Sequence, residues 1–241
     1  MDVSSIRTLP SGKKEIITKL KKEKEIKDVL NDMYNELSNN HQVYVIAPLI
    51  EESDKSDLEN VYELETKMNK AFGKLYKIGV LHGKMDNAEK EKIMNDFKDN
   101  KINILISTTV IEVGIDVKNA TMIVIFDAFR FGLSALHQLR GRVGRNNLQS
   151  YCILISNRET ERLNVLTKTN DGFKVSEEDF LLRGSGDLFG LRQSGDMVFK
   201  IADIKKDYNI LLKAKEDAME YLEKNKDSNL IRLLEDSIDL N

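Results

Sequence analysis

Leu136-His137-Gln138-Leu139-Arg140-Gly141-Arg142-Val143-Gly144-Arg145 places three guanidinium groups and a carboxamide within one short stretch. If this stretch is a helix beginning after Ser134, Gln138, Arg142 and Arg145 stand at i, i+4 and i+7 on one face, and Arg140 points elsewhere. Guanidinium forks on a rigid element stabilise charge spreading over the oxygens of a transferring phosphoryl group, an effect worth roughly 10³- to 10⁵-fold in rate. Two glycines inside a helix cost about 1 kcal/mol each relative to alanine. That cost implies that another backbone or a phosphate comes close to Gly141 and Gly144. For an arbitrary R-x-x-R, a surface cluster in structural ion pairs is the commoner arrangement.

A second stretch is Ser107-Thr108-Thr109-Val110-Ile111-Glu112-Val113-Gly114-Ile115-Asp116. It directly follows an apolar run ending at Ile106. Hydroxyls and backbone N–H groups at the carboxyl end of a strand can hold a nucleic-acid phosphate, and a carboxylate after a glycine turn can accept from ribose hydroxyls. A helix cap followed by a buried polar loop explains the same residues equally well.

The elements that carry these stretches follow from periodicity. Val43–Ala47, Ile78–Leu81, Ile102–Ile106, Met122–Phe126 and Cys152–Ile155 are short apolar runs of the kind found in strands buried on both faces. Between them, Val61, Leu64 and Met68 recur at helical spacing within Leu58 to Phe72, and Asp86 to Phe97 opens on an Asp-x-x-Glu capping box. Strand–helix alternation predicts an α/β fold with a parallel sheet flanked by helices. Ligands in such sheets gather at the carboxyl ends of strands, here the segments after Leu81, Ile106 and Phe126. Residues 13–37 place Ile16, Leu20, Ile26, Leu30, Met33 and Leu37 at the period of one amphipathic helix or two. The seven lysines from Lys13 to Lys27 then form a solvated helical face, with a DNA-contacting patch as the sharper alternative. Beyond Ser156 the pattern predicts a helix over Glu159–Lys168, an Asp171-Gly172 turn and a helix capped by Ser176. A glycine-rich loop from Gly184 to Gly195 and helices from about Ile204 complete the chain.

Composition narrows the function classes. The 241 residues are 41% hydrophobic and 32% charged, and no apolar run is long enough to span a bilayer, so no membrane partner is expected. Thirty-seven basic against 40 acidic side chains give a net charge of -3, so any nucleic-acid contact must be local. The single cysteine, Cys152, cannot form an internal disulfide, and the amino terminus lacks the pattern of a secretory signal. A cytoplasmic location is the resulting expectation. His41, His82 and His137 show no zinc-ligand spacing, so no metal site is expected of the chain's own residues. Cys152, Met68, Met94 and Met122 read as core.

Taken in chain order, the stretch Ser107 to Asp116 and then the stretch Leu136 to Arg145 resemble motifs V and VI of superfamily-two helicases. Gln138, Gly141, Arg142 and Arg145 fit the Q-x-x-G-R-x-x-R form of the second, and Leu81-His82-Gly83-Lys84-Met85 is similar to an earlier motif of the same lobe. DEAD-box RNA helicases fit less well, since their motif VI begins His-Arg where this chain has His137-Gln138. Asn170-Asp171-Gly172-Phe173, the stretch Asp179-Phe180-Leu181-Leu182-Arg183-Gly184-Ser185-Gly186-Asp187, and Gln193-Ser194-Gly195 resemble the translocation motif shared by RecG branch-migration helicases and the transcription-repair coupling factor Mfd. Val43 to Ser53 and the opening Asp2 to Lys14 favour RecG. Ser185 and Asp187 depart from the usual Pro and Glu, and Phe126-Asp127 stands where RecG proteins more often have Glu-Asn.

The resemblance implies a RecA-like second helicase lobe followed by a helical hairpin and C-terminal helices. Its expected divisions are residues 1–40 as a linker and first helix, 41–156 as the lobe, 157–203 as the translocation hairpin and loop, and 204–241 as a helical extension. Arg142 and Arg145 would be arginine fingers with Gln138 beside them. Gly114 and Asp116 would line the nucleotide side of an interlobe cleft. Thr108, Thr109, Glu112, His82 and Arg140 would contact DNA or couple to it, and Arg162, Arg183 and Gln193 would belong to the translocation motif. No G-x-x-x-x-G-K-[ST] or Asp-Glu-x-His box occurs in the 241 residues, so ATP and Mg²⁺ are expected to be bound mainly by a first lobe outside this sequence. Met1 is then read as an added start. The implied activity is ATP-dependent translocation on duplex DNA in fork reversal, Holliday-junction migration, recombination and repair, with forks and junctions as partners. The isolated chain is expected to lack ATPase activity. A Mfd-like lobe and a non-hydrolytic binding module are the alternatives. Leu211, Leu212, Ala218, Leu222, Leu230 and Leu233 form an apolar face that would pack on a missing amino-terminal domain, so self-association is expected when it is uncovered.

Overall fold

The computed structural model describes residues 14–48, 54–108, 117–183 and 208–224. Six strands form one sheet: β1 (Ile17–Lys21), β2 (Gln42–Ile46), β3 (Ile78–Leu81), β4 (Ile104–Ser107), β5 (Ala120–Ile125) and β6 (Tyr151–Ile155). The sheet order is β1-β6-β5-β2-β4-β3, and every neighbouring pair is parallel. The helices are α1 (Ile26–Ser38), α2 (Asp54–Phe72), α3 (Asn87–Lys98), α4 (Leu133–Arg140), α5 (Glu161–Lys168), α6 (Gly172–Arg183) and α7 (Tyr208–Lys224). The chain divides into two compact units, residues 1–179 and 180–241, and the sheet belongs to the first.

The central strands are covered on both faces, which is why β2, β4 and β5 read as unbroken buried runs. Side chains alternate between the faces. Val43, Val45, Ile104, Ile106, Met122 and Val124 pack with Val29, Met33 and Leu37 of α1 and with Val61, Leu64, Met68 and Phe72 of α2. Tyr44 takes the opposite parity and meets Phe97 of α3, with ring centroids 4.9 Å apart. Fully burying one such side chain is worth about 1.5–3 kcal/mol, so the sheet–helix contacts dominate the lobe's stability.

The strand runs and the helices Asp54–Phe72 and Asn87–Lys98 match the sequence expectation, and Asp86 caps α3 by accepting from the Glu89 N–H at 2.7 Å. Residues 17–21, expected within a helix, instead form β1, hydrogen-bonded to β6 with Ile17 opposite Tyr151. Lys19 and Lys21 are tolerated there because β1 is an edge strand and its charges reach solvent. The helix expected from Ser176 begins at Gly172. Asp171 starts it, accepting from the Phe173 N–H through Oδ1 at 2.9 Å and from the Val175 N–H through its carbonyl at 3.0 Å.

Among the described residues no helix is long and apolar enough to cross a membrane. Cys152 is buried, and burial pushes its thiol up to about 12, so the neutral thiol packs as a small hydrophobe. In the second unit, Ile210 of α7 is 67% exposed. Leu230 and Leu233 of the expected apolar face lie outside the described residues.

Candidate functional site

α4 ends earlier than the arginine spacing suggests. Gly141 is its C-cap, and the Arg142 and Val143 N–H groups turn back to the carbonyls of Leu139 and Arg140 at 3.0 and 3.2 Å. These tightened bonds close the last turn. Gly144 follows at φ +76, a left-handed conformation that glycine adopts without steric cost. Gln138 therefore projects from the exposed side of α4, whereas Arg142 and Arg145 are carried by the turn after it. The expected single helical face does not exist.

The glycines also answer to something other than a phosphate. A Cβ on Gly144 would lie 2.9 Å from Ile16 Cγ1, so the close approach comes from the residue before β1. Arg142 and Arg145 are both part-exposed. Arg145 Nε donates weakly to the Gly141 carbonyl at 3.4 Å. Arg142 makes no side-chain hydrogen bond or ion pair among the described residues. Beside this turn opens a cavity of about 420 Å³, whose lining includes Lys14, Ile16, Arg140, Gly144, Arg145 and Asn170.

Arg140 faces inward, so of its two expected roles, contact with DNA or coupling to it, the buried position argues against direct contact. It is 2% exposed. Its Nη1 donates to the carbonyls of Leu166 at 2.9 Å and Thr169 at 2.8 Å, both at the end of α5, and its Nη2 reaches His137 Nδ1 at 2.9 Å. Because arginine only donates, Nδ1 must accept, which leaves the His137 proton on Nε2. The guanidinium is thus committed to joining α4 to α5. His137 lies in turn against α6, since a Cβ on Gly172 would come within 2.9 Å of its Nε2.

Two of the other expected residues lie at the opposite end of the sheet. His82 and Thr108 directly follow the carboxyl ends of β3 and β4. Thr108 is buried, and its carbonyl accepts from Ser107 Oγ at 2.8 Å. His82 is 9% exposed, with Nε2 3.3 Å from the Tyr62 hydroxyl and no partner for its buried Nδ1 among the described residues. The turn that carries Arg142 and Arg145 lies instead at the amino ends of the strands. Asn146 donates to the Lys118 carbonyl just before β5, and Gly144 packs on Ile16 just before β1. Thr109, Glu112, Gly114, Asp116 and Gln193 lie outside the described residues, as does the Arg183 side chain. Arg162 is part-exposed on α5.

Three residues not singled out by sequence also meet at the carboxyl rim. Phe129, in a short 3-10 turn after β5, has the Arg130 guanidinium 5.3 Å and the Arg158 guanidinium 4.7 Å from its ring centroid. The available signal was a cation shortly after each of two adjacent strand runs.

Burial, followed by the Arg140 charge, lowers the His137 pKa below 6.5, with Asp171 opposing. Burial and then Lys90 lower that of His82. Both rings ionise more readily in the unfolded chain, so the unfolded state binds more protons as pH falls. Their contribution to stability is fully present above about pH 6.5 and is lost as pH falls through the lower folded values. The melting temperature should therefore decline on acidification from about pH 7.5 to 5.5, before most carboxylates titrate. His137→Gln should flatten part of that decline. A flat wild-type profile over this interval would refute the assignment of neutral, buried rings.

Residues 21–147 match the family model of the helicase conserved C-terminal domain, and residues 169–233 match that of "ATP-dependent DNA helicase RecG, domain 3, C-terminal". The chain is 48% identical over 228 residues to ATP-dependent DNA helicase RecG of Staphylococcus epidermidis, covering 92% of this chain and 33% of that protein. It is 48% identical over 222 residues to RecG of Streptococcus pneumoniae serotype 4, covering 90% and 33%. The chain thus spans about a third of the length of these relatives. A solved structure of RecG bound to a three-way DNA junction superposes with a TM-score of 0.66 at 36% identity, over 85% of this chain and 26% of that one.

Proposed function

Because the chain belongs to the helicase conserved C-terminal domain family and corresponds to the C-terminal region of a RecG-type DNA helicase, we propose that it is the second motor lobe of an ATP-dependent duplex-DNA translocase. In this reading it acts on forks and Holliday junctions in recombination and repair. The observation that carries the reading is the division at the end of α4: Arg140, its last residue, is buried, while Arg142 and Arg145 follow on a part-exposed, glycine-bounded turn.

Donor-only guanidiniums on a part-exposed turn fit the oxygens of a triphosphate. ATP with Mg²⁺ supplies the phosphoryl group whose hydrolysis drives movement and is held mainly by a preceding lobe. Arg142 and Arg145 neutralise charge on its phosphate oxygens, and Gln138 stands beside them on α4. Gly114 and Asp116 are assigned to the same side. Asn146 of the finger turn bonds to Lys118, two residues beyond Asp116, which supports that grouping. At the opposite rim, His82 and Thr108, with Thr109 and Glu112 next in sequence, serve the DNA side. Arg162, Arg183 and Gln193 connect lobe movement to translocation.

Nucleotide chemistry at the amino ends and DNA contact at the carboxyl ends would let one rigid sheet transmit closure from the first to the second. The 241-residue chain should show no DNA-stimulated ATP hydrolysis, whereas a protein that also carries the preceding lobe should hydrolyse ATP. Turnover by the chain alone, measured as phosphate release, would refute the division between lobes.

A further inference from the structure

Phe129, Arg130 and Arg158 form an exposed cationic group at the carboxyl rim, and the motor reading leaves them without a role. Two elements bring them together. Arg130 and Phe129 lie in the 3-10 turn Ala128–Arg130 after β5, which opens at Asp127 in a left-handed conformation, φ 46 and ψ 45. Arg158 follows β6, where the buried Ser156 hydroxyl accepts its N–H at 3.1 Å and donates to its carbonyl at 2.6 Å. Both backbones are therefore fixed. The ring holds two like charges, with guanidinium carbons 5.3 and 4.7 Å from its centroid, an arrangement favoured by its negative faces.

The charges are poorly neutralised. Among the described residues Arg130 makes one ion pair, with Asp127 at 3.7 Å, too long for a hydrogen bond. Arg158 makes no guanidinium hydrogen bond or ion pair among the described residues. Glu159, next in sequence, is instead paired with Lys22 at 3.0 Å. A purely structural staple would pair these donors with carbonyls, as Arg140 does with those of Leu166 and Thr169. Arg130 and Arg158 remain open to solvent. Since β6 and β5 adjoin β2 and then β4, the pair lies on the same rim as Thr108 and His82.

We infer that Arg130 and Arg158, oriented by Phe129, form a phosphodiester-binding clamp that extends the nucleic-acid track along the carboxyl rim from β3 and β4 to β5 and β6. This rests on the reading of that rim as the DNA side. The clamp reads backbone charge and not sequence, since guanidinium contacts to phosphate fix position without distinguishing bases.

The test is fluorescence anisotropy of the 241-residue chain with mixed-sequence duplex DNA across a salt series. Arg130→Gln and Arg158→Gln should each weaken binding irrespective of sequence and make the log–log salt slope shallower by about 0.9. Phe129→Leu should weaken binding with the slope largely kept. A second measurement needs no variant: duplex DNA should protect Arg130 and Arg158 of the wild-type chain from phenylglyoxal, read by mass spectrometry, and ATP should not. Unchanged affinity and slope in folded variants, or equal labelling with and without bound DNA, overturns the clamp. If His82→Ala weakens binding and the arginine variants do not, the clamp fails and the motor reading stands. If the wild-type chain binds no DNA, the clamp falls together with the reading of this rim as the DNA side, while the assignment of Arg142 and Arg145 to the nucleotide is tested separately by ATP hydrolysis. Protection by ATP in place of DNA would also overturn the clamp.

Discussion

Arg145→Ala, in a protein that includes the preceding lobe, is expected to lower DNA-stimulated ATP hydrolysis by about 10³- to 10⁵-fold with little change in duplex affinity. The expectation follows from where the side chain is held. Gly141 caps α4, Gly144 turns the backbone at φ +76, and Arg145 follows directly, braced by a 3.4 Å contact from its own Nε to the Gly141 carbonyl. A guanidinium positioned by backbone geometry needs little reorganisation when negative charge develops in front of it. Arg142→Ala should behave similarly. Arg145→Lys should recover only part of the rate, because an ammonium keeps the charge and loses the planar fork. The measurement is steady-state phosphate release with and without duplex DNA, beside a binding isotherm. Normal hydrolysis by Arg145→Ala would refute the finger assignment, and equal loss of DNA affinity would move Arg145 to the DNA side.

This separation into two ends was only partly legible in the sequence. The buried strands were readable because their residues are apolar at every position, and α3 because Asp86 and Glu89 announce its start. β1 was not, since Ile16 and Leu20 fit a helical period as well as a strand, and an edge position lets Lys19 and Lys21 interrupt the apolar signal. Spacing could locate the arginines but not divide their roles. That division depended on where α4 stops, and a glycine in Q-x-x-G-R fits an interior helical site or a C-cap. One clue was present: Leu133, Leu136 and Arg140 recur at i, i+3 and i+7, so helical phase alone puts Arg140 on the buried face. The clamp candidates were less legible, because Phe129 and Arg158 are far apart in sequence and only the adjacency of β5 and β6 brings them together.

Arg140→Leu is expected to destabilise the fold by about 2–4 kcal/mol, among the larger effects of a single substitution. The guanidinium is 2% exposed and supplies hydrogen bonds to Leu166 O, Thr169 O and His137 Nδ1, at 2.8 to 2.9 Å. Leucine fills part of the volume but leaves these acceptors without their donor, and water entering from the adjoining cavity replaces the forked contacts only in part. It also removes a cation from the carboxyl end of α5, where unsatisfied carbonyls favour positive charge. Relief from burying a charge offsets some of this, since burial lowers the Arg140 pKa. The loss corresponds to a melting temperature lower by roughly 5–15 °C, readable by circular dichroism. Arg140→Lys should fall between, because one ammonium cannot reproduce the forked contacts. If Arg140→Leu melted like the wild type yet bound duplex DNA more weakly, the inward role would be wrong and the DNA-facing expectation restored. If stability falls as expected, one buried cation joins α4 to α5, and the turn that carries Arg142 and Arg145 leaves a helix anchored on α5.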